Sequence, residues 1–271
     1  MTRRRLNLNP DRYVKPDAGP VQTTATPANS SPEQRSMKIA VLNHSGNVGK
    51  TTVTRHVLAP RLEGAVVISI ESINSDGTDT AALRGSQFDE VQDRLMSVSR
   101  AVVDVGASNV EDFITLMNRY DGSHQDYDRF VVPTVAGAKQ QVDTISTLQT
   151  LQQIGVPREK IRVVFNMVDP KQDLTSAFSR LFEAVGRDGW CALNPNAVIY
   201  ENPIFEKIKG IGKTIADIRN DPADYLAMNA EAIDSGMPEE QRAHIRRMVA
   251  LKRLARRVTS ELDVVFAELV S

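Results

Sequence analysis

Short runs of apolar residues punctuate the chain at Lys38-Ile39-Ala40-Val41-Leu42-Asn43, Ala65-Val66-Val67-Ile68-Ser69-Ile70, Ala101-Val102-Val103-Asp104-Val105, Arg129-Phe130-Val131-Val132-Pro133 and Ile161-Arg162-Val163-Val164-Phe165-Asn166. Apolar runs of this length, with little alternation, suit strands covered on both faces in a parallel sheet. The segments between them carry helical spacing, as at Val142, Ile145, Leu148, Leu151 and Gln152 within Lys139 to Ile154. Alternating strand and helix predicts βαβ units: an α/β fold with a mostly parallel sheet, helices on both faces, and a ligand site at the carboxyl ends of the strands. Beyond Pro203 the pattern is helical and ends in a long segment from Pro238 to Val270. There Ile245, Met248, Val249, Leu254, Val258, Leu262, Val265 and Leu269 form an apolar stripe that would dock on the domain or on a partner helix.

Residues 1–36 lack this periodicity and are rich in Pro, Thr, Asn, Ser and Arg, the composition of a disordered arm. The expected organisation is therefore an arm over 1–36, a folded domain over 37–220, and a C-terminal helical extension over 221–271 packed on it. With 271 residues and 41% hydrophobic content the chain can bury a full core. A formal net charge of −1 argues against a uniformly basic nucleic-acid coat, so any such contact would be a local patch. Cys191 is the single cysteine, which leaves no intramolecular disulfide and no cysteine metal cage. His44, His56, His124 and His244 lack a ligand spacing, so no structural metal is expected. No window has the run of apolar residues that a membrane span needs, and the basic N-terminus leads into no apolar signal core. The chain reads as cytoplasmic.

The most informative segment follows the first apolar run: Ser45-Gly46-Asn47-Val48-Gly49-Lys50-Thr51-Thr52. Binding a nucleoside triphosphate needs many donors close together, and a tight Gly-containing loop opening a helix supplies backbone N–H groups and the positive helix end. In this pattern Lys50 reaches the β- and γ-phosphates, the Thr51 hydroxyl ligates Mg²⁺, and Thr52 extends the helix start. The Walker pattern asks for Gly where His44 stands. A second triplet, Gly212-Lys213-Thr214, follows a charged segment and has Lys207 in the first Gly position, so it reads as a loop and helix start.

Phosphoryl transfer to water also needs a metal and a group that orients the nucleophile. Asp104 ends the third apolar run, where a carboxylate would hold Mg²⁺ through its water shell. Glu71 ends the second, and Asp76 in the turn-like Asn74-Ser75-Asp76-Gly77 competes for the same role.

The loop resembles the deviant Walker loop of the ParA/MinD-like partition ATPase superfamily, commonly Lys-Gly-Gly-x-Gly-Lys-Thr-Thr, aligned onto Ser45 to Thr52. With the strand-end acids, Val131-Val132-Pro133-Thr134 and Asn166, the resemblance extends over roughly residues 37 to 220. Within the superfamily, the run from Lys38 to Thr52 looks most like plasmid stability proteins of the StbB type. The resemblance implies an ATPase with ATP and Mg²⁺ as cofactors, acting in plasmid stability or partition and in conjugative transfer. It implies Lys50, Glu71 and Asp104 as catalytic residues, Glu71 standing where the family's second Asp of Asp-x-Asp-Pro-Gln positions water. It implies a base contact at Asn166, whose Asn166-Met167-Val168-Asp169 also has the outline of a guanine-reading motif with Met167 in the lysine's place, so ATP is favoured over GTP. It implies a homodimer, nonspecific DNA and a plasmid-encoded DNA-binding protein as partners, and a bacterial, nucleoid-associated location. Ser45 departs from the family, whose lysine at this place reaches across a dimer interface. That departure weighs on dimerisation and on fast hydrolysis.

From Arg242 to Arg257 the chain holds Arg242, Arg246, Arg247, Lys252, Arg253, Arg256 and Arg257 and no acid. Arg242, Arg246, Arg253 and Arg257 share one helical face, a candidate DNA contact with strong salt dependence; a solvated basic face is the alternative, and attachment to a membrane surface a third, for which Phe266 is the helix's one aromatic anchor. Two other function classes stay open. One is a metabolic P-loop kinase or ligase, for which no acceptor motif is evident, and the other is a nucleotide-binding adaptor with little turnover.

Overall fold

The five apolar runs and one further short segment assemble into a six-stranded sheet in the order β2-β3-β1-β4-β5-β6, every neighbouring pair parallel. The strands are β1 (Met37–Val41), β2 (Val66–Ser69), β3 (Arg100–Asp104), β4 (Arg129–Thr134), β5 (Ile161–Val168) and β6 (Val198–Tyr200). The computed structural model describes residues 36–70, 85–234 and 236–271. Glu71, Asp76 and the arm before Ser36 lie outside the described residues. Ser36–Ser271 is a compact unit.

Because side chains alternate along a strand, each strand feeds two cores. Ala40, Val103, Phe130, Val132 and Phe165 point to one face, where they meet α2 (Gly85–Met96), α3 (Val110–Arg119), α4 (Ala138–Gln153) and α6 (Ser179–Asp188). Ile39, Val41, Val102, Val131 and Val164 point to the other. That face is covered by the helix after β1, namely α1 (Lys50–Thr52) with its π-helical continuation Val53–Leu58, and by α7 (Pro203–Lys207), α8 (Ile215–Asn220) and α10 (Glu239–Val270). The short α5 (Leu174–Ala177) precedes α6, and α9 (Tyr225–Asp234) precedes α10. The fold is thus the expected α/β arrangement, a P-loop NTPase sheet with helices on both faces and a long C-terminal helix.

Two expectations about faces are corrected. On α4, Val142 is half exposed, and the buried face carries Gln141, Thr144 and Thr147 with Leu148 and Leu151. This face meets the polar loop after β1 and so needs hydrogen-bonding groups. On α10 the buried row is Ile245, Met248, Leu251, Ala255, Val258, Leu262, Val265 and Leu269, so Leu251 and Ala255 stand where Val249 and Leu254 were expected. The far end of α10 is tied to the sheet: the Arg129 guanidinium donates to the Val270 and Ser271 carbonyls, and Arg162 donates to that of Ser271.

The chain leaves β1 at the point where the sheet order turns, with β3 on one side and β4 on the other. In open α/β sheets this crevice receives the ligand. It is where the phosphate-loop sequence lies.

Candidate functional site

The loop from Asn43 to Gly49 is shaped by two left-handed residues, Asn47 (φ 59) and Gly49 (φ 88), the latter being the N-cap of α1. Left-handed residues in such a loop turn backbone N–H groups toward a common concavity that suits an anion. Gly49 is required twice over. Its φ is one that L-residues avoid, and a Cβ there would fall on the Asn166 side-chain amide. Asn166, itself buried, donates from Nδ2 to the Val48 carbonyl at 2.9 Å. The side chain assigned by resemblance to a nucleotide base is therefore also the brace that seats the second half of the loop.

The first half is held from the other side by a polar network that the sequence reading did not find. Asn43 donates to the Pro133 carbonyl and bonds Thr144 Oγ1, both at 2.8 Å, while its Oδ1 accepts from Ser45 N at 2.8 Å. Thr144 also bonds Thr134 Oγ1 at 2.9 Å. His44 reaches Thr147 Oγ1 through both its backbone N–H and its Nδ1. The Asp143 carboxyl is held below the usual carboxylate range, first by the Lys139 ammonium and in smaller part by the neighbouring Ser45. Asn43, Ser45, Thr134, Thr144 and Thr147 are all buried, so each unmade bond here would be costly. Thr144 and Thr147, in register with Leu148 and Leu151 on one helical face, were the sequence signal for this network.

Lys50 lies inside the loop, its ammonium donating to the Ser45 carbonyl at 2.9 Å and the Asn43 carbonyl at 3.3 Å. It is 8% exposed. Neutral carbonyls are weaker partners than phosphate oxygens for a charged donor, so the loop is poised to exchange one for the other. Asp104, the last residue of β3, is buried and in register with Val41, the last residue of β1, so this residue sits level with the start of the loop. Thr51 is exposed at the start of α1. Gly46 has open space where a Cβ would stand, so the loop alone does not demand a glycine there. These groups fit a triphosphate with Mg²⁺: a loop with left-handed turns, an internal ammonium, a hydroxyl at the helix start and a strand-end carboxylate.

Beside the loop a cavity of about 720 Å³ opens between Thr51, Thr52 and Asn166 on one side and the segment from Tyr200 to Lys213 on the other. Its volume is in the usual range for small-molecule sites. Met167, Tyr200, Pro203 and Phe205 give it flat and apolar walls. Met167 is half exposed and left-handed (φ 54), at a register break of β5 against β6, and this turns it out of the strand's alternation. Gly212 and Lys213 of the second triplet form the cavity's far rim, while Thr214 caps α8 through a capping box with Asp217. That triplet is a loop and helix start.

His56 lines the same cavity and accepts at Nδ1 from Ile215 N at 3.4 Å. Burial first, then the Arg55 charge, lowers its pKa to about 4, with Asp217 opposing. The unfolded chain takes up this proton near pH 6.5 and the folded chain only near pH 4. Stability is therefore full above pH 6.5 and falls by up to about 3 kcal/mol as the pH drops through that window. The expected result is that His56→Gln flattens the dependence of Tm on pH between 6.5 and 4, measured by calorimetry against the wild type.

The basic residues of α10 are unequally engaged. Arg242 and Arg246 both pair with Glu239, at 2.8 and 2.5 Å, and Arg257 faces Glu261 at 3.4 Å. Arg247 donates to the Lys207 carbonyl, and Lys252 donates to the carbonyls of Asp221 and Ala223. Arg253 and Arg256 are exposed. Among the described residues no helix is long and apolar enough to cross a membrane.

A family model for the CobQ/CobB/MinD/ParA nucleotide binding domain matches residues 39–210. No curated protein sequence matches the chain. Among solved structures, the chain is similar to a Cyanothece McdA variant in complex with ATP (13% identity, 83% of this chain and 98% of that one, TM-score 0.42). It is similar also to the MinD cell division protein of Aquifex aeolicus (12% identity, 83% and 97%, TM-score 0.47). A third is pnob8 ParA (9% identity, 83% and 97%, TM-score 0.35).

Proposed function

Since the chain belongs to the CobQ/CobB/MinD/ParA nucleotide-binding family, we propose that it is a ParA-like, Mg²⁺-dependent ATPase acting in plasmid stability or partition. In this reading its nucleotide state controls association with DNA or a partner protein. The observation that carries the reading is the ammonium of Lys50 held inside a left-handed loop that abuts the 720 Å³ cavity. Lys50 and the loop N–H groups take the phosphates, Thr51 and Asp104 hold Mg²⁺, and the base lies against Met167 and Tyr200 beside Asn166. ATP is preferred, since Met167 offers a base no charge. The water-orienting role falls to Glu71.

The DNA arm of the reading rests on α10. Its exposed Arg253 and Arg256, with Arg242, Arg246 and Arg257 beside them, form a basic face, and its buried face packs on the helix that follows the phosphate loop. Val57, Leu58 and Leu62 share a core with Leu251, Val258 and Leu262, and Arg61 binds Asp263 at 2.8 Å. A change at the loop thus has a packed route to the basic helix. We place the protein in the bacterial cytoplasm, associated with the nucleoid, as a homodimer working with a plasmid-encoded DNA-binding protein of the kind found in StbB-type systems.

The test is DNA binding at two salt concentrations with ATP, ADP and no nucleotide, alongside ATP turnover with and without DNA. The expected outcome is ATP-dependent binding that weakens steeply with salt and is lost in Arg253→Glu/Arg256→Glu. Turnover indifferent to both DNA and protein partners would point instead to a kinase or ligase. A nucleotide-binding adaptor with little turnover is the second reading, favoured by the uncharged, buried Ser45 where the family carries a lysine; single-turnover hydrolysis faster than about one per minute would exclude it.

A further inference from the structure

A triphosphate seated in the loop brings several negative charges, and the loop itself contributes a single ammonium, that of Lys50. Arg55, Lys209 and Lys213 line the cavity on one side of the loop, and a further cation stands on the other side, on α4. This helix is tied to the loop by hydrogen bonds between Thr147 and His44 and between Thr144 and Asn43, and Asp143 stands next to Ser45. It starts just after the carboxyl end of β4, so its first turn lies at the edge of the sheet that receives the ligand. One turn before Asp143, Lys139 extends the row beyond Ser45. Its ammonium is 2.6 Å from the Asp143 carboxylate, and its side chain is 78% exposed against 22% for Asp143. A pair so open to solvent is held weakly and yields to a denser anion. Asp143, by contrast, is less exposed and stands beside Ser45.

We propose that Lys139 is the cation recruited by the terminal phosphate of a bound nucleoside triphosphate, with Asp143 as the positioning residue that stores it beside Ser45 until the nucleotide arrives. This rests on the reading of the loop as a nucleotide site. The ammonium exchanges one carboxylate oxygen for phosphate oxygens, and no bond is made or broken. Such a cation distinguishes triphosphate from diphosphate, because it acts on the phosphate that ADP lacks, and it stabilises charge that grows in the transition state.

The test compares ATP and ADP affinity by titration calorimetry with Mg²⁺, and single-turnover hydrolysis, in the wild type, Lys139→Ala, Lys139→Arg and Lys139→Ala/Ser45→Lys. The wild type is expected to prefer ATP. Lys139→Ala should weaken ATP about tenfold while ADP stays within about twofold, and should slow hydrolysis. Lys139→Arg should recover most of the preference, and Ser45→Lys should restore it in the alanine background, since Asp143 can hold an ammonium from either side. These rescues separate a phosphate contact from a merely structural role of the exposed lysine. A Lys139→Ala protein with the wild-type ratio of ATP to ADP affinity and the wild-type hydrolysis rate overturns the proposal. A wild type that binds neither nucleotide overturns the reading of the loop as well, so the two failures are distinguishable.

Discussion

Lys50→Ala is expected to abolish detectable ATP binding while leaving the chain folded. The ammonium is the one cation inside the loop, and its present partners are the Ser45 and Asn43 carbonyls. With phosphate it would form charge-assisted bonds worth roughly 1.5–3 kcal/mol each, so losing two of them weakens binding by at least about a hundredfold. The cost to the fold is smaller. The loop remains held by Asn166 on Val48 and by Asn43 on Thr144, neither of which uses Lys50. The Ser45 and Asn43 carbonyls each lose one donor, a smaller loss than that of the whole loop support. Calorimetric titration with ATP, paired with thermal unfolding, checks both halves. Lys50→Arg is the sharper control, since it keeps the charge but has a planar head too broad for the space between Ser45 and Asn43, and it should bind ATP poorly as well. Binding that survives Lys50→Ala with the fold intact would remove the phosphate role of this loop.

What could be read along the chain beforehand was what is local. β1, β3, β4 and β5 show as mainly apolar runs because they lie inside the sheet with both faces covered, the edge strand β2 keeps the pattern although Val67 is exposed, and their parallel direction follows from the helices between them. β6 was not legible. Its three residues, Val198–Tyr200, sit between Asn-Pro-Asn and Glu-Asn-Pro, a composition that marks a loop, and only pairing with β5 makes it a strand. The phosphate loop was legible for the same local reason: glycine, lysine and threonine occur in a fixed order between strand and helix. What supports the loop is not local. Asn166 reaches Val48 across 118 positions, and Thr144 and Thr147 reach Asn43 and His44 across about a hundred. Threonines on a helix face carry no mark saying which strand end they will meet. The cavity wall from Tyr200 to Lys213 was likewise read as helix and loop alone. Glu71 has an expected role but lies outside the described residues.

Gly49→Ala should be the most damaging single-methyl change at any described glycine, for two separable reasons. At φ 88 an alanine is strained by roughly 1–2 kcal/mol wherever it has room. Here it has none, because the new methyl falls on the Asn166 amide. Asn166 is 2% exposed on a strand between two neighbours and has little freedom to retreat. Moving it breaks the bond to the Val48 carbonyl and leaves a buried amide without a partner, a further cost of roughly 1–3 kcal/mol. A stability loss of roughly 2–5 kcal/mol is expected, together with at least about a hundredfold weaker ATP binding as the loop loses its seat. The double variant Gly49→Ala/Asn166→Ala isolates the second cause. It removes the amide that the methyl strikes, so only the backbone strain and the lost brace remain, and its stability loss should fall short of the sum of the two single losses by about 1–2 kcal/mol. ATP affinity should not recover, since the brace is absent in either case. Denaturant unfolding of the four proteins gives the coupling directly. Additive losses would mean that Asn166 yields freely, and that Gly49 is required for its backbone angle alone.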